Sequence, residues 1–151
     1  MKHVAVIYHS QSGTTRALAE AVTAGIALEP QVSWRLLRAM EASIDDLRWC
    51  DGVIFGTPEN LGYMSGGLKD FFDRTFYPAQ RYAFNKPYGL FVSAGNDGSG
   101  AVAQLQRIVK GYPLQPMAAP LILKGPTAPA ALQQCSDLGQ AVAAGLVMGI
   151  F

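Results

Sequence analysis

The sequence has few of the features that would narrow its function at once. It contains two cysteines, Cys50 and Cys135, and neither lies in a Cys-x-x-Cys or other metal-ligand spacing, so we expect two buried, reduced thiols. Twelve Lys and Arg residues against eleven Asp and Glu leave a formal net charge of +1, with the two signs interspersed. This balance argues against nucleic acid or an anionic membrane surface as a partner.

Long hydrophobic runs are also missing. No uninterrupted apolar stretch approaches the roughly 20 residues of a membrane span, and the N-terminus lacks the pattern of a secretory signal. We therefore expect no membrane insertion and a cytoplasmic location. At 151 residues and 50% hydrophobic composition, the chain can bury a substantial core, which predicts one domain over residues 1–151. Asp45, Asp46 and Asp73 are interpreted as surface or helix-end acids, and we expect no metal site.

Two familiar phosphate-binding patterns are absent after the first predicted strand. The loop Ser10-Gln11-Ser12-Gly13-Thr14-Thr15 has no lysine, which argues against a nucleotide-hydrolysing phosphate loop, and no Gly-x-Gly-x-x-Gly spacing of a dinucleotide fold. It does have four hydroxyls, a glycine and a helix starting near Thr14, whose first turn offers free N–H groups. The loop therefore predicts a monophosphate site. The alternative is an ordinary helix N-cap made by Ser12 or Thr14.

Strand-like and helix-like segments alternate along the rest of the chain, which is typical of a parallel sheet covered on both faces. The predicted strands are His3–Tyr8, Val32–Leu37, Gly52–Gly56, Tyr88–Ser93 and Met117–Leu123. Helical spacing predicts helices around Leu18–Ile26, Leu68–Phe76, Val102–Tyr112 and Leu132–Leu146, and a short one over Ser43–Trp49 with Ser43 as N-cap. The apolar tail Ala141–Phe151 indicates a packed end or a subunit contact.

Three donor-rich loops follow the first, third and fourth strands. They are the hexamer, residues Thr57–Gly67 and residues Ala94–Gly100. In a doubly wound sheet these loops meet at the carboxyl edge, where ligands bind.

These residues resemble a known family. The hexamer is similar to the FMN-phosphate loop of flavodoxin-like proteins, and the segment from Gly56 to Arg74 is similar to the loop and helix of flavodoxin-like quinone reductases and FMN reductases. The resemblance implies an α/β three-layer sandwich with a five-stranded parallel sheet in the order 2-1-3-4-5, and FMN as cofactor. It implies that the first loop holds the phosphate and that the isoalloxazine lies between the second and third loops.

Carried over to this sequence, the resemblance implies three groups of cofactor-binding residues. The phosphate and ribityl contacts are Ser10, Gln11, Ser12, Gly13, Thr14 and Thr15; the ring contacts are Pro58, Glu59, Asn60, Leu61, Gly62 and Tyr63; the pyrimidine-edge contacts are Ala94, Gly95, Asn96 and Asp97. Backbone N–H groups of Asn60 and Gly62 would bond the ring edge, and Leu61 or Tyr63 would pack on it. The third loop lacks an aromatic residue that could cover the ring.

Catalytic groups are less well indicated, because the cofactor supplies the reactive atoms. Tyr63, Tyr82 and His9 are the candidates for donating a proton to an acceptor carbonyl. The structural alternatives are a surface position for His9 and simple packing for Tyr63. Arg74, Arg81 and Lys86 are interpreted as solvated, with the alternative that one contacts a nicotinamide phosphate.

Three functions fit these observations to different degrees. The favoured one is an FMN-dependent oxidoreductase that takes electrons from NADH or NADPH and reduces quinones or similar small acceptors, with a possible homodimer completing its pocket. The second is a flavodoxin-type electron carrier, which the balanced charge disfavours, since such carriers are typically strongly acidic. A phosphoacceptor receiver ranks lowest, because His9-Ser10 and Gly56-Thr57 occupy the places where it needs acids.

Overall fold

A computed structural model describes residues 1–151 and contains seven strands and five helices. The strands are β1 (Lys2–Tyr8), β2 (Val32–Arg38), β3 (Gly52–Asn60), β4 (Tyr63–Met64), β5 (Lys86–Ala94), β6 (Leu114–Pro116) and β7 (Leu121–Lys124). The helices are α1 (Thr14–Ile26), α2 (Ile44–Trp49), α3 (Gly66–Ala79), α4 (Ser99–Val109) and α5 (Pro129–Met148). The predicted alternation of strands and helices is confirmed.

The sheet has the predicted order. Its path runs β2-β1-β3-β5-β6 with parallel pairing throughout, and β7 also pairs with β5 in parallel. β6 pairs with residues 86–88 and β7 with residues 91–94, so together they form one interrupted edge strand. Counted this way, the order is 2-1-3-4-5, and the flavodoxin-like fold class is confirmed.

The predicted bounds of the last strand, Met117–Leu123, are wrong. Residues 117–120 lie between β6 and β7 instead of inside a strand. Pro116 precedes this gap and Pro120 is its last residue, and proline has no N–H to donate to a neighbouring strand. A prediction based on the apolar pattern alone does not take these prolines into account, which explains the error in the bounds.

Side chains on the two faces of the sheet belong to separate hydrophobic clusters. Val4, Val6 and Tyr8 pack with α1 and α5, whereas Ala5 and Ile7 pack with the cluster formed by α2, α3 and α4. This division follows from the alternation of side chains along a strand. The result is the predicted three-layer sandwich, and it leaves the strand ends free to build a site.

Local capping explains the short second helix. The Ser43 hydroxyl accepts a hydrogen bond from Asp45 N–H, and the Asp46 carboxylate accepts from Ser43 N–H at 2.9 Å, which completes a capping box. The predicted N-cap at Ser43 is confirmed.

Helices α1 and α5 approach each other more closely than any side chain at the contact positions would allow. A Cβ on Gly25 would lie 1.9 Å from the carbonyl oxygen of Ser136, and a Cβ on Gly139 would lie 2.0 Å from that of Val22. Glycine at both positions permits this contact, which fixes α1 and hence the loop before it.

No helix has the length and hydrophobicity that crossing a bilayer requires.

Candidate functional site

The loop between β1 and α1 leaves the N-terminus of α1 without a side-chain cap. Gly13 is the N-cap residue, with φ 97°, and no side chain accepts a hydrogen bond from the first turn. The Ser10 hydroxyl accepts from Gly13 N–H at 3.0 Å, and the hydroxyls of Ser12 and Thr14 lie 3.5 Å apart near the surface. The alternative that Ser12 or Thr14 caps the helix is therefore wrong. Free N–H groups, the helix dipole and two hydroxyls suit an anion.

Thr15 has a different position from the rest of this loop. Its side chain is buried, and its hydroxyl lies 2.9 Å from the hydroxyl of Ser93, near the end of β5. Each hydroxyl therefore satisfies the other, and the pair joins the first loop to the strand that precedes the third loop.

The second loop is a tight hairpin between β3 and β4. Asn60 pairs with Tyr63, which leaves Leu61 and Gly62 as the two turn residues, with φ values of 53° and 72°. A two-residue turn with both φ values positive matches the twist of a hairpin but is strained for leucine. The Leu61 side chain is fully exposed. Strain at an exposed apolar residue beside a cavity is typical of a binding position.

Two contacts hold this hairpin against the start of α4. The N–H of Gly98 donates to Glu59 Oε1 at 3.2 Å, and a Cβ on Gly100 would lie 1.9 Å from the carbonyl oxygen of Gly62. A third contact, from Asn60 Nδ2 to Gln11 Oε1 at 3.4 Å, joins the hairpin to the first loop. The second loop is thus braced on both sides.

Asp97 in the third loop binds Ser99, the first residue of α4. Its carboxylate accepts hydrogen bonds from the N–H of Ser99 at 2.9 Å and from the Ser99 hydroxyl at 2.8 Å. These bonds, with a smaller contribution from Lys124, hold the pKa of the fully exposed Asp97 carboxyl below its ordinary value. Asp97 therefore stays ionised at neutral pH and fixes the start of α4.

The three loops enclose a cavity of about 320 Å³, which we call the inter-loop cavity. Its lining residues are Gln11, Ser12, Thr14, Thr15, Pro58, Glu59, Asn60, Ser93, Ala94, Gly95 and Gly125. Nine of these are among the predicted cofactor-binding residues. Ser93 and Gly125 were missed, although both follow from the topology, because each lies at the carboxyl end of a strand.

Other predicted residues lie outside this cavity lining. Ser10 and Gly13 line a neighbouring cavity, and Leu61, Gly62, Asn96 and Asp97 lie on the exposed parts of the second and third loops. Tyr63 lies in a groove between α3 and α4, beside Phe72 and Ile108. Tyr63 therefore does not line the inter-loop cavity, although its strand partner Asn60 does.

The other two catalytic candidates differ in position. Tyr82 stacks on Phe84, which lies beside Lys86 at the start of β5 and therefore at the amino edge of the sheet, opposite the loops. His9 lies at the carboxyl edge, where its ring fills the space that a Cβ on Gly67 would need. Its Nδ1 is buried without a hydrogen-bond partner. The structure thus brings His9, but not Tyr82, to the loops.

The neighbouring cavity, of about 350 Å³, lies on the far side of the first loop. We call it the arginine cavity, and its lining residues are Tyr8, His9, Ser10, Gln11, Gly13, Arg16, Arg38, Met40 and Glu41. Gln11 lines both cavities, so the two adjoin at the first loop.

Two of the cations considered for a nicotinamide phosphate have structural roles instead. Arg74 donates to the carbonyl oxygens of Ala39 and Ala42 at 2.7 and 2.8 Å, and Lys86 donates to those of Leu47 and Cys50, both at 2.6 Å. Arg81 lies over the ring of Tyr82, away from the loops.

Comparison with known proteins agrees with this geometry. The model of the NADPH-dependent FMN reductase family matches residues 35–122, from β2 to β7 and including the second and third loops. The chain belongs to this family. Within it, the hairpin and the glycine-rich third loop lie in the matched region, and the hydroxyl-rich first loop precedes it.

Curated relatives of this FMN reductase family member carry two kinds of description. A flavodoxin of Aquifex aeolicus is 34% identical over 66% of this chain and 54% of its own length. An NAD(P)H dehydrogenase (quinone) of Acidithiobacillus ferrooxidans is 33% identical over 50% of this chain and 48% of its own length. The chain thus spans about half the length of these two relatives.

Solved structures show the same fold. A flavodoxin from the domain Archaea superposes with a TM-score of 0.82 at 23% identity, covering 96% of this chain and 99% of that one. A WrbA-like flavodoxin from Agrobacterium tumefaciens gives 0.80 at 21% identity, covering 98% and 99%. The family member therefore has the flavodoxin-like fold over essentially its whole length.

Proposed function

We propose that this chain binds FMN in the inter-loop cavity and acts as an NAD(P)H-dependent oxidoreductase that reduces quinones or similar small acceptors. The observation that carries the proposal is the uncapped N-terminus of α1, which faces a cavity shared by three loops. Its free N–H groups and the hydroxyls of Ser12 and Thr14 match a phosphate monoester. The family description and the quinone dehydrogenase relative support the same activity.

The donor set fits the rest of FMN as well. Ser12, Thr14 and the first-turn N–H groups of α1 would hold the phosphate, and Gln11 would contact the ribityl chain. The ring would lie against Pro58 and the hairpin tip, where Leu61 offers an exposed apolar surface. No cationic side chain lines this cavity, so backbone dipoles would supply the charge complementarity.

When bound, FMN supplies hydride and electron transfer. This chain's residues orient the ligand and control its surroundings. Glu59 and Gly100 hold the hairpin to α4, so the surface offered by Leu61 stays in place while substrates exchange. Glu59 also places a carboxylate at the cavity wall, where it would disfavour extra negative charge on a bound ring. Of the three candidate proton donors, His9 lies at the first loop, where it lines the arginine cavity, and its buried Nδ1 has no hydrogen-bond partner.

An electron-carrier function is the second candidate, and the flavodoxin relative supports it. The net charge disfavours this function, since a formal value of +1 offers no acidic field to steer the chain to a basic partner.

We also propose that residues 1–151 form one functional domain. Met148, Ile150 and Phe151 are exposed at the end of α5, and we propose this end as the contact of a homodimer.

Anaerobic mixing separates the two functions. The FMN-loaded chain is mixed with NADPH or NADH, and the visible absorbance of oxidised flavin is followed. The reductase proposal predicts rapid bleaching, and re-oxidation when a quinone is added. Resistance to both nucleotides, combined with ready reduction by a partner reductase, would instead support the carrier.

A further inference from the structure

The groove between α3 and α4, which we call the α3–α4 groove, is separate from the proposed flavin site. Its volume is about 420 Å³, and it shares no lining residue with the inter-loop cavity or the arginine cavity. Ligand pockets in proteins are usually about 300–1,000 Å³ in volume. The groove therefore has room for a small organic molecule of one or two rings.

Aromatic rings form much of the wall of this groove. Phe76 and Tyr77 meet edge to face, with ring centroids 5.4 Å apart, and Tyr77 is 80% exposed. Phe76 is held in place, because its ring lies 5.3 Å from that of the buried Tyr112 and fills the space that a Cβ on Gly111 would need. A fixed ring beside an exposed one suits an aromatic ligand, since aromatic pairs attract each other beyond the area they bury.

One positive charge in the lining has no partner. The Lys69 ammonium is paired with Asp73, and this hydrogen bond raises the pKa of Lys69. Arg107 takes part in none of the ion pairs or arginine hydrogen bonds of the chain. The charged side chains of the groove therefore leave one uncompensated guanidinium, a group that binds a carboxylate through two parallel N–H···O bonds.

The surroundings of Arg107 favour a singly charged ligand over a phosphate. Arg107 lies in the last turn of α4, and Ile108 and Gly111, which also line the groove, lie in or just after that turn. A helix C-terminus carries partial negative charge, which opposes a dianion more strongly than a monoanion. Asp73 adds a carboxylate to the same lining. The groove thus matches a monoanion attached to an aromatic ring.

We propose that the α3–α4 groove binds a small aromatic carboxylate, with the carboxylate paired to Arg107 and the ring packed against Phe76 and Tyr77. Gln104 precedes Arg107 by three residues on α4 and also lines the groove, so its amide offers a further donor on the same helix face. The inference goes beyond the proposed function, because none of these residues lines the inter-loop cavity.

The test is calorimetric titration of the full-length chain with 2-naphthoate, which carries one carboxylate on two fused rings. Wild type is expected to bind one 2-naphthoate per chain. Its affinity should exceed that for 2-naphthamide, which has the same rings without the charge, by about tenfold or more, as expected for charge-assisted hydrogen bonds. Hexanoate, which has the charge without a ring, should also bind more weakly.

Four substitutions assign the contacts. R107Q should weaken 2-naphthoate binding by about tenfold or more and leave 2-naphthamide binding unchanged. Y77S should weaken the binding of both ligands, because it removes a ring from the wall. D73N, which frees Lys69 of its partner, should tighten 2-naphthoate binding alone. K110Q is the matched control, since it removes a positive charge from the exposed residue that follows α4, outside the groove, and should behave like wild type.

Four results would overturn the proposal. Wild type that shows no saturable binding of 2-naphthoate would leave the groove without this ligand. Equal affinity for 2-naphthoate and 2-naphthamide would remove the contact with Arg107. Equal weakening by R107Q and K110Q would show a general effect of charge. Displacement of 2-naphthoate by FMN would place the ring in the inter-loop cavity.

The outcome is independent of the proposed function. FMN titration of the same preparations tests flavin binding separately, and R107Q should bind FMN like wild type, because Arg107 does not line the inter-loop cavity. Unfolding midpoints in urea confirm that each variant is folded.

Discussion

Individual hydroxyls in the first loop have distinct roles. Ser12 and Thr14 are near the surface and free to contact an anion, whereas Thr15 is buried against Ser93. Because all three carry a hydroxyl, the sequence predicts the same role for each, contact with the phosphate. Only the helical geometry separates them, because Thr14 starts α1 and Thr15 turns its side chain toward the core.

A test of the Thr15–Ser93 pair follows from this difference. T15V keeps the side-chain shape but leaves the buried Ser93 hydroxyl without its partner at 2.9 Å. The free energy of unfolding should fall by about 1–3 kcal/mol, the usual cost of an unsatisfied buried hydroxyl. Urea denaturation measures the change. The T15V/S93A double variant should regain part of the loss, and a double variant less stable than T15V would contradict the pairing.

The extent to which the site could be predicted also varied between residues. The first loop was recognisable because hydroxyls and glycine before a helix have a direct chemical meaning. Arg16 and Arg38 were overlooked, since they are far apart in sequence and line the same cavity only because β2 lies beside β1. Tyr63 could not be placed either, because the direction of a side chain in a two-residue strand depends on a hairpin that has no periodic signal.

At the scale of elements, the β3–β4 hairpin and α4 behave as one unit. The hairpin was not predicted, since Leu61 occupies a turn position where positive φ normally favours glycine or asparagine. The longer helices and central strands were predicted well, because their apolar periodicity extends over many residues. Elements held by a few specific contacts escape such patterns.

Gly100 tests this unit. In G100A, the new Cβ would lie 1.9 Å from the carbonyl oxygen of Gly62, so the hairpin or the start of α4 must move. We expect a loss of about 1–3 kcal/mol in stability, as for other overpacked sites, and weaker FMN binding because the ring-contacting turn is displaced.

The matched control is G66A, at the start of α3, where a Cβ would meet no atom within 4 Å. Its stability should stay within about 0.5 kcal/mol of wild type, with FMN affinity unchanged. Equal behaviour of G100A and G66A in both measurements would show that the hairpin does not depend on its contact with α4.

At the scale of the whole molecule, both cysteines lie inside the packed layers. Burial raises the pKa of Cys50 to about 11 and that of Cys135 to about 12, from an ordinary value of 9.0. Because the folded pKa values are raised, the protonated thiols contribute stability that is complete below pH 9.0 and is lost as the pH rises through the folded values.

Alkaline unfolding therefore provides a measurable slope. Above pH 9.0, the free energy of unfolding should fall by up to about 1.4 kcal/mol per pH unit for each thiol. The buried phenols of Tyr88 and Tyr112 also have raised pKa values and add to the loss at higher pH. Urea titrations at several alkaline pH values should give a shallower slope for C50A/C135A. An unchanged slope would mean that the thiols ionise equally well in the folded chain.

The central claim is that a phosphate-bearing flavin binds between the three loops, and FMN titration followed by flavin fluorescence tests it most directly. The account predicts saturable binding of one FMN per chain, much weaker binding of riboflavin, which lacks the phosphate, and loss of FMN binding in T14E with the fold retained. Q140E, which adds the same charge on an exposed face of α5, should bind FMN like wild type. Equal affinity for FMN and riboflavin, or unimpaired FMN binding by T14E, would contradict the account.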